Sequence, residues 1–192
     1  MVQRPTYQET NDLVAAGDVD LAFVCSGAYM ELRRKEAAEI IAVPVVNGTS
    51  TYHSLILTHP DNDAGSMAEL QGTTFAFVDP LSNSGFYYPS WHVHRMGTTP
   101  QAFFSATTFS NSHEASVELV ASGAVDAAAV DNLIFDSLVK EREDLLDRVR
   151  IVEKSDPFGI PPVVIRTNMD PAYKRAPPDI LLAMEPHPAG TD

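Results

Sequence analysis

Apolar runs of strand length alternate along the chain with amphipathic stretches of helix length. The strands predicted from the apolar runs are 19–24, 40–46, 52–57, 73–78, 124–130, 148–152 and 162–165. The predicted helical segments are 11–16, 28–39, 67–70, 85–95, 113–122, 133–147 and a tail, 172–184, that Pro177-Pro178 should interrupt. Strands that alternate with helices favour parallel sheets covered by helices, so the pattern predicts an α/β fold.

The order of the first elements is unusual for such a fold. A parallel sheet normally begins with a strand, whereas this chain begins with the helix 11–16. We therefore expect that the strand beside 21–24 is missing from the amino terminus and that the chain is a fragment. No fixed-period repeat and no low-complexity tract accompany this pattern.

Composition excludes several classes of partner. The 192 residues carry 13 Lys and Arg against 26 Asp and Glu, a formal net charge of −13, which repels nucleic acid and anionic lipid surfaces. No run approaches the roughly 18 apolar residues of a membrane span, so no direct membrane insertion is expected. The single Cys25 indicates no redox compartment, and residues 1–7 lack the apolar core of a secretory signal.

The most informative segment is the turn that follows the predicted strand 73–78. Ser82, Asn83 and Ser84 precede Gly85 at the start of a helix, where backbone N–H groups and hydroxyls converge at the positive end of the helix dipole. This arrangement predicts an anion site. The alternative is that one of the three residues only caps the helix, which is the commoner use of such residues.

A histidine adds a second donor to this prediction. His113 begins its own helix after Ser110-Asn111-Ser112 and could direct a ring N–H to the same anion. Taken without the turn at Ser82, it would be interpreted as a surface residue at a helix start.

The ordered set of these segments resembles a known family. The segments are Asp79-Pro80-x-Ser82-x-Ser84-Gly85, then Phe103-Phe104, then Ser110-Asn111-Ser112-His113-Glu114-Ala115, then residues 121–127, preceded by Thr6-Tyr7, 17–23, Tyr52 and 70–72. Together they look like the phosphate-, phosphite- and phosphonate-binding periplasmic receptors of ABC importers, which have the type II periplasmic-binding-protein fold. The resemblance covers almost the whole chain and also implies that the first strand and helix are missing, that is, an amino-terminal truncation.

The resemblance implies a two-lobed fold, each lobe a mostly parallel sheet flanked by helices. Lobe one would comprise residues 1–59 and 157–192, and lobe two residues 60–156. The ligand would lie in the cleft between them. Carried over by residue, the oxyanion would be held by Ser82, Asn83, Ser84 and His113 from lobe two, and by Tyr7 and Tyr52 from lobe one.

Two departures from the family pattern bear on the ligand. Asn83 replaces the usual Thr, and Leu133 and Pro161 stand where receptors for aminoalkylphosphonates place acids, with only Asp131 nearby. We therefore expect a small oxyanion such as phosphite, phosphate or a simple alkylphosphonate. The resemblance further implies an ABC permease as partner, an extracytoplasmic location and no cofactor, and the truncation suggests self-association.

Three alternatives remain open at this point. Ser84, His113 and Asp131 have the residue types of a hydrolytic triad, but the serine lies in no G-x-S-x-G elbow, so an enzyme is not expected. A metal site at His92-Val93-His94 is disfavoured because residues two apart on a helix diverge. The third is a ligand-sensing or degenerate module of the same fold, detached from transport.

Overall fold

A computed structural model describes residues 2–174, 179 and 181 of the chain. Its strands are β1 (Leu21–Phe23), β2 (Ala38–Ala42), β3 (Thr51–Tyr52), β4 (Ser54–Thr58), β5 (Thr74–Phe77), β6 (Ala106–Phe109), β7 (Ala127–Asp131), β8 (Arg150–Lys154), β9 (Phe158–Gly159) and β10 (Val163–Arg166). Its α-helices are α1 (Tyr7–Ala16), α2 (Ser26–Arg34), α3 (Tyr88–Arg95), α4 (Pro100–Phe103), α5 (His113–Ala121) and α6 (Asn132–Glu141). The predicted interruption at Pro177-Pro178 lies outside the described residues.

The chain divides into two compact units. The first comprises Met1–Ser50 and Gly159–Asp192, and the second is the continuous segment Thr51–Phe158. The strand β4, which the sequence-based division assigns to lobe one, therefore lies in the second unit. The short strands β3 and β9 pair with each other.

The first unit contains a three-stranded sheet in the order β1-β10-β2. Strand β10 comes from late in the chain and pairs antiparallel with both neighbours, so β1 and β2 run parallel to each other on either side of it. A small core covers one face, formed by Val14, Val24, Leu32, Ala38 and Val164. Because Val164 is fully buried in the central strand, this core depends on two distant parts of the chain.

The second unit contains a five-stranded sheet in the order β6-β5-β7-β4-β8. Alternate residues of its central strands enter two cores on opposite faces: Leu55, Leu57 and Ala76 belong to one, whereas Ile56 and Phe75 belong to the other. This alternation is the period of two that a strand requires. Because both faces are covered, the central strands appear in the sequence as unbroken apolar runs.

The α/β class is confirmed, but the expectation of mostly parallel sheets is corrected. In the three-stranded and five-stranded sheets of the described residues, only β5 pairs parallel with its neighbours, β6 and β7. The ladders of β4 with β7 and β8 are antiparallel, as are both ladders of the three-stranded sheet. The alternation of strands and helices does not reveal strand direction when strands from distant segments insert between neighbours. Among the described residues, no helix is long and apolar enough to cross a membrane.

Candidate anion-binding site

The predicted site lies at the end of the five-stranded sheet where strands β5, β6 and β7 terminate, which is called the sheet edge in this subsection. Strands β5, β6 and β7 are adjacent and parallel, so their carboxyl ends meet at the same edge. The antiparallel β4 begins at this edge, where Ser54 pairs with Asp131 at the end of β7. Crevices outside the carboxyl ends of such strands are where open α/β sheets bind ligands.

Ser82 fulfils the capping role that the sequence left as an alternative. Its side chain is fully buried, and its Oγ accepts a hydrogen bond of 3.0 Å from the backbone N–H of Gly85. Its carbonyl oxygen accepts from the N–H groups of Phe86 and Tyr87. These bonds start a π-helical turn, Asn83–Tyr87, that continues directly into α3.

Gly85 is required by the tightness of this turn. A Cβ atom at this position would lie 2.5 Å from Cγ2 and 2.6 Å from Cβ of Val78, and 2.9 Å from Oγ of Ser82. No unstrained side chain fits these distances, so glycine allows the turn to pack directly on the end of β5.

Ser84 is the strongest candidate donor in the turn. It is 1% exposed, and its Oγ has no hydrogen-bond partner among the described residues. Its carbonyl oxygen accepts a bond of 2.7 Å from Oγ of Ser54, which fixes the turn to β4. A buried hydroxyl without a partner is rare in folded proteins and is a place where a polar ligand can bind.

His113 lies at the first turn of α5, and its hydrogen bonds define its tautomer. The backbone N–H of Asp131 donates to Nδ1 of the ring at 3.0 Å. Burial lowers the pKa of His113 from its ordinary value of 6.5 to about 4. The ring is therefore neutral at physiological pH and carries its proton on Nε2, which makes Nε2–H a hydrogen-bond donor.

Asp131 has a structural role that the sequence did not predict. Its Oδ1 accepts a bond of 2.7 Å from the backbone N–H of Leu133 and so caps α6. Burial raises the pKa of this carboxyl to about 6, even though the helix N–H groups act in the opposite direction. His113, Asp131, Ser54 and Ser84 thus form a continuous series of contacts along the sheet edge.

The two tyrosines are in different units. Tyr52 lies in the second unit, is 1% exposed, and accepts a hydrogen bond of 3.0 Å at its hydroxyl from Nδ2 of Asn83. It therefore fixes the Asn83 side chain from within the same unit, whereas the sequence-based division placed it in lobe one. Tyr7 is half-buried on α1 of the first unit.

Sequence reasoning missed a polar network behind the turn. The N–H of His53 donates to Oδ1 of Asn132 at 2.6 Å, and Nδ1 of His53 lies 2.7 Å from the carbonyl oxygen of Ser155. The N–H of Ser54 donates to Oγ of Ser155 at 2.9 Å. The available signal was that His53 and Ser54 open an otherwise apolar strand, where buried polar residues require partners.

The geometry does not support the hydrolytic triad that was considered from the sequence. In a hydrolytic triad the carboxylate accepts a hydrogen bond from a ring N–H of the histidine. Here Nδ1 of His113 instead accepts a hydrogen bond from the backbone N–H of Asp131, and the Asp131 carboxylate accepts one from the backbone N–H of Leu133. Among residues 2–174, 179 and 181, no group of three or more His, Cys, Asp or Glu side chains could hold a metal ion. His92, predicted as an unlikely ligand, instead contacts Glu153 through Nε2 at 3.0 Å.

The fold is thus of the α/β class, and its candidate site presents two neutral hydrogen-bond donors, the Ser84 hydroxyl and Nε2–H of His113. The family model of ABC-transporter phosphonate periplasmic substrate-binding proteins matches residues 1–192. The chain therefore belongs to this family, as the resemblance predicted, and the family consists of substrate-binding transporter components rather than enzymes.

Individual relatives agree with this assignment. The chain is 29% identical over 167 residues to the phosphate-import protein PhnD of Mycolicibacterium smegmatis, covering 81% of this chain and 52% of the relative. It is 26% identical over 161 residues to the phosphonates-binding periplasmic protein of Escherichia coli, covering 81% and 47%. A crystal structure of a binding protein of an ABC phosphonate transporter from Pseudomonas aeruginosa superimposes with a TM-score of 0.85 at 26% identity, covering 92% and 60%. The chain thus spans about half the length of the curated relatives it matches.

Proposed function

We propose that this chain is the substrate-binding component of an ABC importer and binds a small phosphorus oxyanion: a simple phosphonate, phosphite or phosphate. Family membership and the two curated relatives support the class of ligand. The observation that carries the proposal is the pair of neutral donors at one sheet edge, the unpartnered Ser84 hydroxyl and the Nε2–H of His113.

Neutral donors suit a protein with a net charge of −13. Long-range repulsion of an anion is screened beyond a Debye length of about 8 Å at physiological ionic strength. Hydrogen bonds at close range in a desolvated site act within that distance, and hydrogen bonds to a charged oxygen are stronger than neutral ones. Several fixed neutral donors are therefore a suitable means of binding an anion in this protein.

The finer features of the ligand follow from residues that are not donors. Leu133 and Pro161 supply no acid to hold an ammonium group, and Asp131 is occupied with capping α6. We therefore propose a ligand without an amine. Four further points are predictions from the family resemblance. They are a contribution of Tyr7, a ligand position between two lobes, delivery to an ABC permease and an extracytoplasmic location.

Isothermal titration calorimetry with phosphite, methylphosphonate and phosphate, with sulfate for comparison, tests the proposal. We expect saturable binding of at least one phosphorus oxyanion and recovery of the ligand unchanged. Ser84→Ala should weaken affinity by about 1 kcal/mol or more and His113→Ala by about 1–3 kcal/mol, the range for hydrogen bonds to charged groups.

Ser90→Ala is the matched control. Ser90 lies further along the same helix and also has a buried hydroxyl without a partner among the described residues. Its removal should leave the affinity unchanged. Equal affinities of the parent, Ser84→Ala and His113→Ala proteins would refute the site, and conversion of the ligand would refute the binding role.

A further inference from the structure

Strand β6 (Ala106–Phe109) forms an open edge of the five-stranded sheet. It pairs with β5 on one side, and among the described residues no strand pairs with its other side. All four of its residues are exposed, whereas β5 and β7 are almost entirely buried. An edge of this kind presents unpaired backbone N–H and C=O groups to any further strand.

The β6 edge lacks the charges that normally prevent edge pairing. Residues 96–112 contain no Asp, Glu, Lys or Arg, and the proline of this segment, Pro100, lies outside β6 in α4. The opposite edge of the same sheet, β8, carries Arg150, Glu153 and Lys154. Proteins commonly use such charges to protect exposed edges, so the two edges of this sheet differ in their protection.

The charge distribution favours a second copy of this chain as the partner. Each copy carries a formal charge of −13, so most faces of two copies repel one another. The segment 96–112 carries no charged side chain, so pairing through its exposed strand β6 brings no like charges of that segment together. This argument concerns the exposed edge only and is independent of ligand binding.

The sequence of β6 is also compatible with two-fold pairing. In a two-fold antiparallel arrangement centred on Thr108, each Thr108 faces Thr108 of the partner subunit, and each Thr107 faces Phe109 of the partner subunit. Thr–Thr pairs and contacts with aromatic residues are favourable cross-strand pairs. Phe109 is 41% exposed, and its ring already packs on Phe77 and Phe86, so pairing would bury a side chain that is held in place.

We infer that β6 pairs antiparallel with β6 of a second copy and joins the two five-stranded sheets into one. The contact is isologous, as a two-fold dimer requires. Because it involves one short strand from each copy, the dimer is weak and depends on protein concentration. Added salt strengthens it by screening the repulsion between the negatively charged copies.

Sedimentation velocity of the full chain from about 10 µM to about 1 mM, the range of weak affinities, tests this inference. We expect reversible dimerisation that tightens when salt is raised. Thr108→Lys should weaken association by at least about tenfold, because it places two positive charges near the two-fold axis. Hydrogen exchange should show amides of residues 106–109 becoming more protected as concentration rises.

Ile151→Lys provides the matched control, since it adds the same charge to an exposed position of the opposite edge strand, β8. It should leave dimerisation unchanged, and circular dichroism should show that both variants are folded. A chain that stays monomeric at about 1 mM overturns the inference. A dimer that Thr108→Lys does not weaken also overturns it, because another surface then carries the contact.

Discussion

The two units differ in how their sheets are made. Among the described residues, the main sheet of the first unit has three strands, antiparallel ladders and one small core, whereas that of the second has five strands and a separate core on each face. Among the described residues, adjacent parallel strands occur only in the second unit, and there the carboxyl ends of β5, β6 and β7 coincide. Coinciding strand ends bring several loops and helix starts together, which explains why the candidate donors lie in this unit.

The largest expected effect compares the two cores directly. Phe77 is 1% exposed and contacts the rings of four other phenylalanines, whereas Val164 is the buried centre of the small first-unit core. Phe77→Ala should lower the free energy of unfolding by about 3–5 kcal/mol and Val164→Ala by about 1–3 kcal/mol. Urea unfolding measures both values. Equal losses would show that the two cores are equally sensitive to truncation.

The second prediction concerns the turn that distinguishes the second unit. Gly85→Ala forces a Cβ against Val78 and Ser82, so we expect a loss of about 2–4 kcal/mol in the free energy of unfolding, together with weaker anion binding. Gly65→Ala is the control, because its Cβ would lie no closer than 3.8 Å to Glu69. A Gly85→Ala protein as stable as the control would contradict the tight packing of the turn.

The third prediction is the pH dependence of the two coupled site residues. The lowered pKa of His113 means that its contribution to stability is complete above pH 6.5 and is lost as pH falls toward 4. The raised pKa of Asp131 affects stability in the opposite direction. Its contribution to stability increases as pH falls from 6 toward 3.8, because the folded protein binds the proton before the unfolded protein does. Each contribution is at most about 3 kcal/mol, so the two oppose one another between pH 4 and 6.

Two variants separate these contributions. Between pH 6 and 4, His113→Gln should become more stable relative to the parent as pH falls, because only the stabilising protonation of Asp131 remains in this variant. Asp131→Asn should become less stable relative to the parent over the same range. Denaturation at a series of pH values measures both slopes, and parallel curves for all three proteins would disprove the assignment of the two pKa values.

The smallest expected effect again compares one position in each unit. Asn111 in the second unit and Asn47 in the first both have left-handed backbone, with φ of 64° and 52°. Replacement by Ala should cost about 1 kcal/mol of unfolding free energy at either site, and replacement by Gly close to nothing. Asn111 precedes His113, so Asn111→Ala should also weaken anion binding, whereas Asn47→Ala should not. Equal effects on binding would remove the distinction between the units.

Much of the candidate site was predictable because its signals are local. Ser82, Ser84 and Gly85 lie in one turn, and the need of a helix start for polar caps is visible in a few consecutive residues. His113 follows the same logic at the next helix. The capping role of Asp131 also involves only neighbouring residues. Predicting it would have required the exact positions at which β7 ends and α6 begins.

The tyrosine and the polar network were less accessible to sequence reasoning. The bond that Asn83 donates to Tyr52 joins residues 31 positions apart, and the bond that the Ser54 N–H donates to Ser155 joins residues 101 positions apart. Nothing in either local segment specifies the other partner. The pairing of Tyr52 with Asn83 is therefore determined by the fold of the second unit.

The amino-acid sequence by itself determined the α/β class, the position of most strands and helices, and the turn with its small polar residues, because hydrophobic periodicity and capping act over a few neighbouring residues. Tertiary structure alone decided the strand directions, the insertion of β10 between β1 and β2, and the tautomer of His113. These features depend on contacts between segments far apart in the chain, whose free energy is gained only when both segments are folded together.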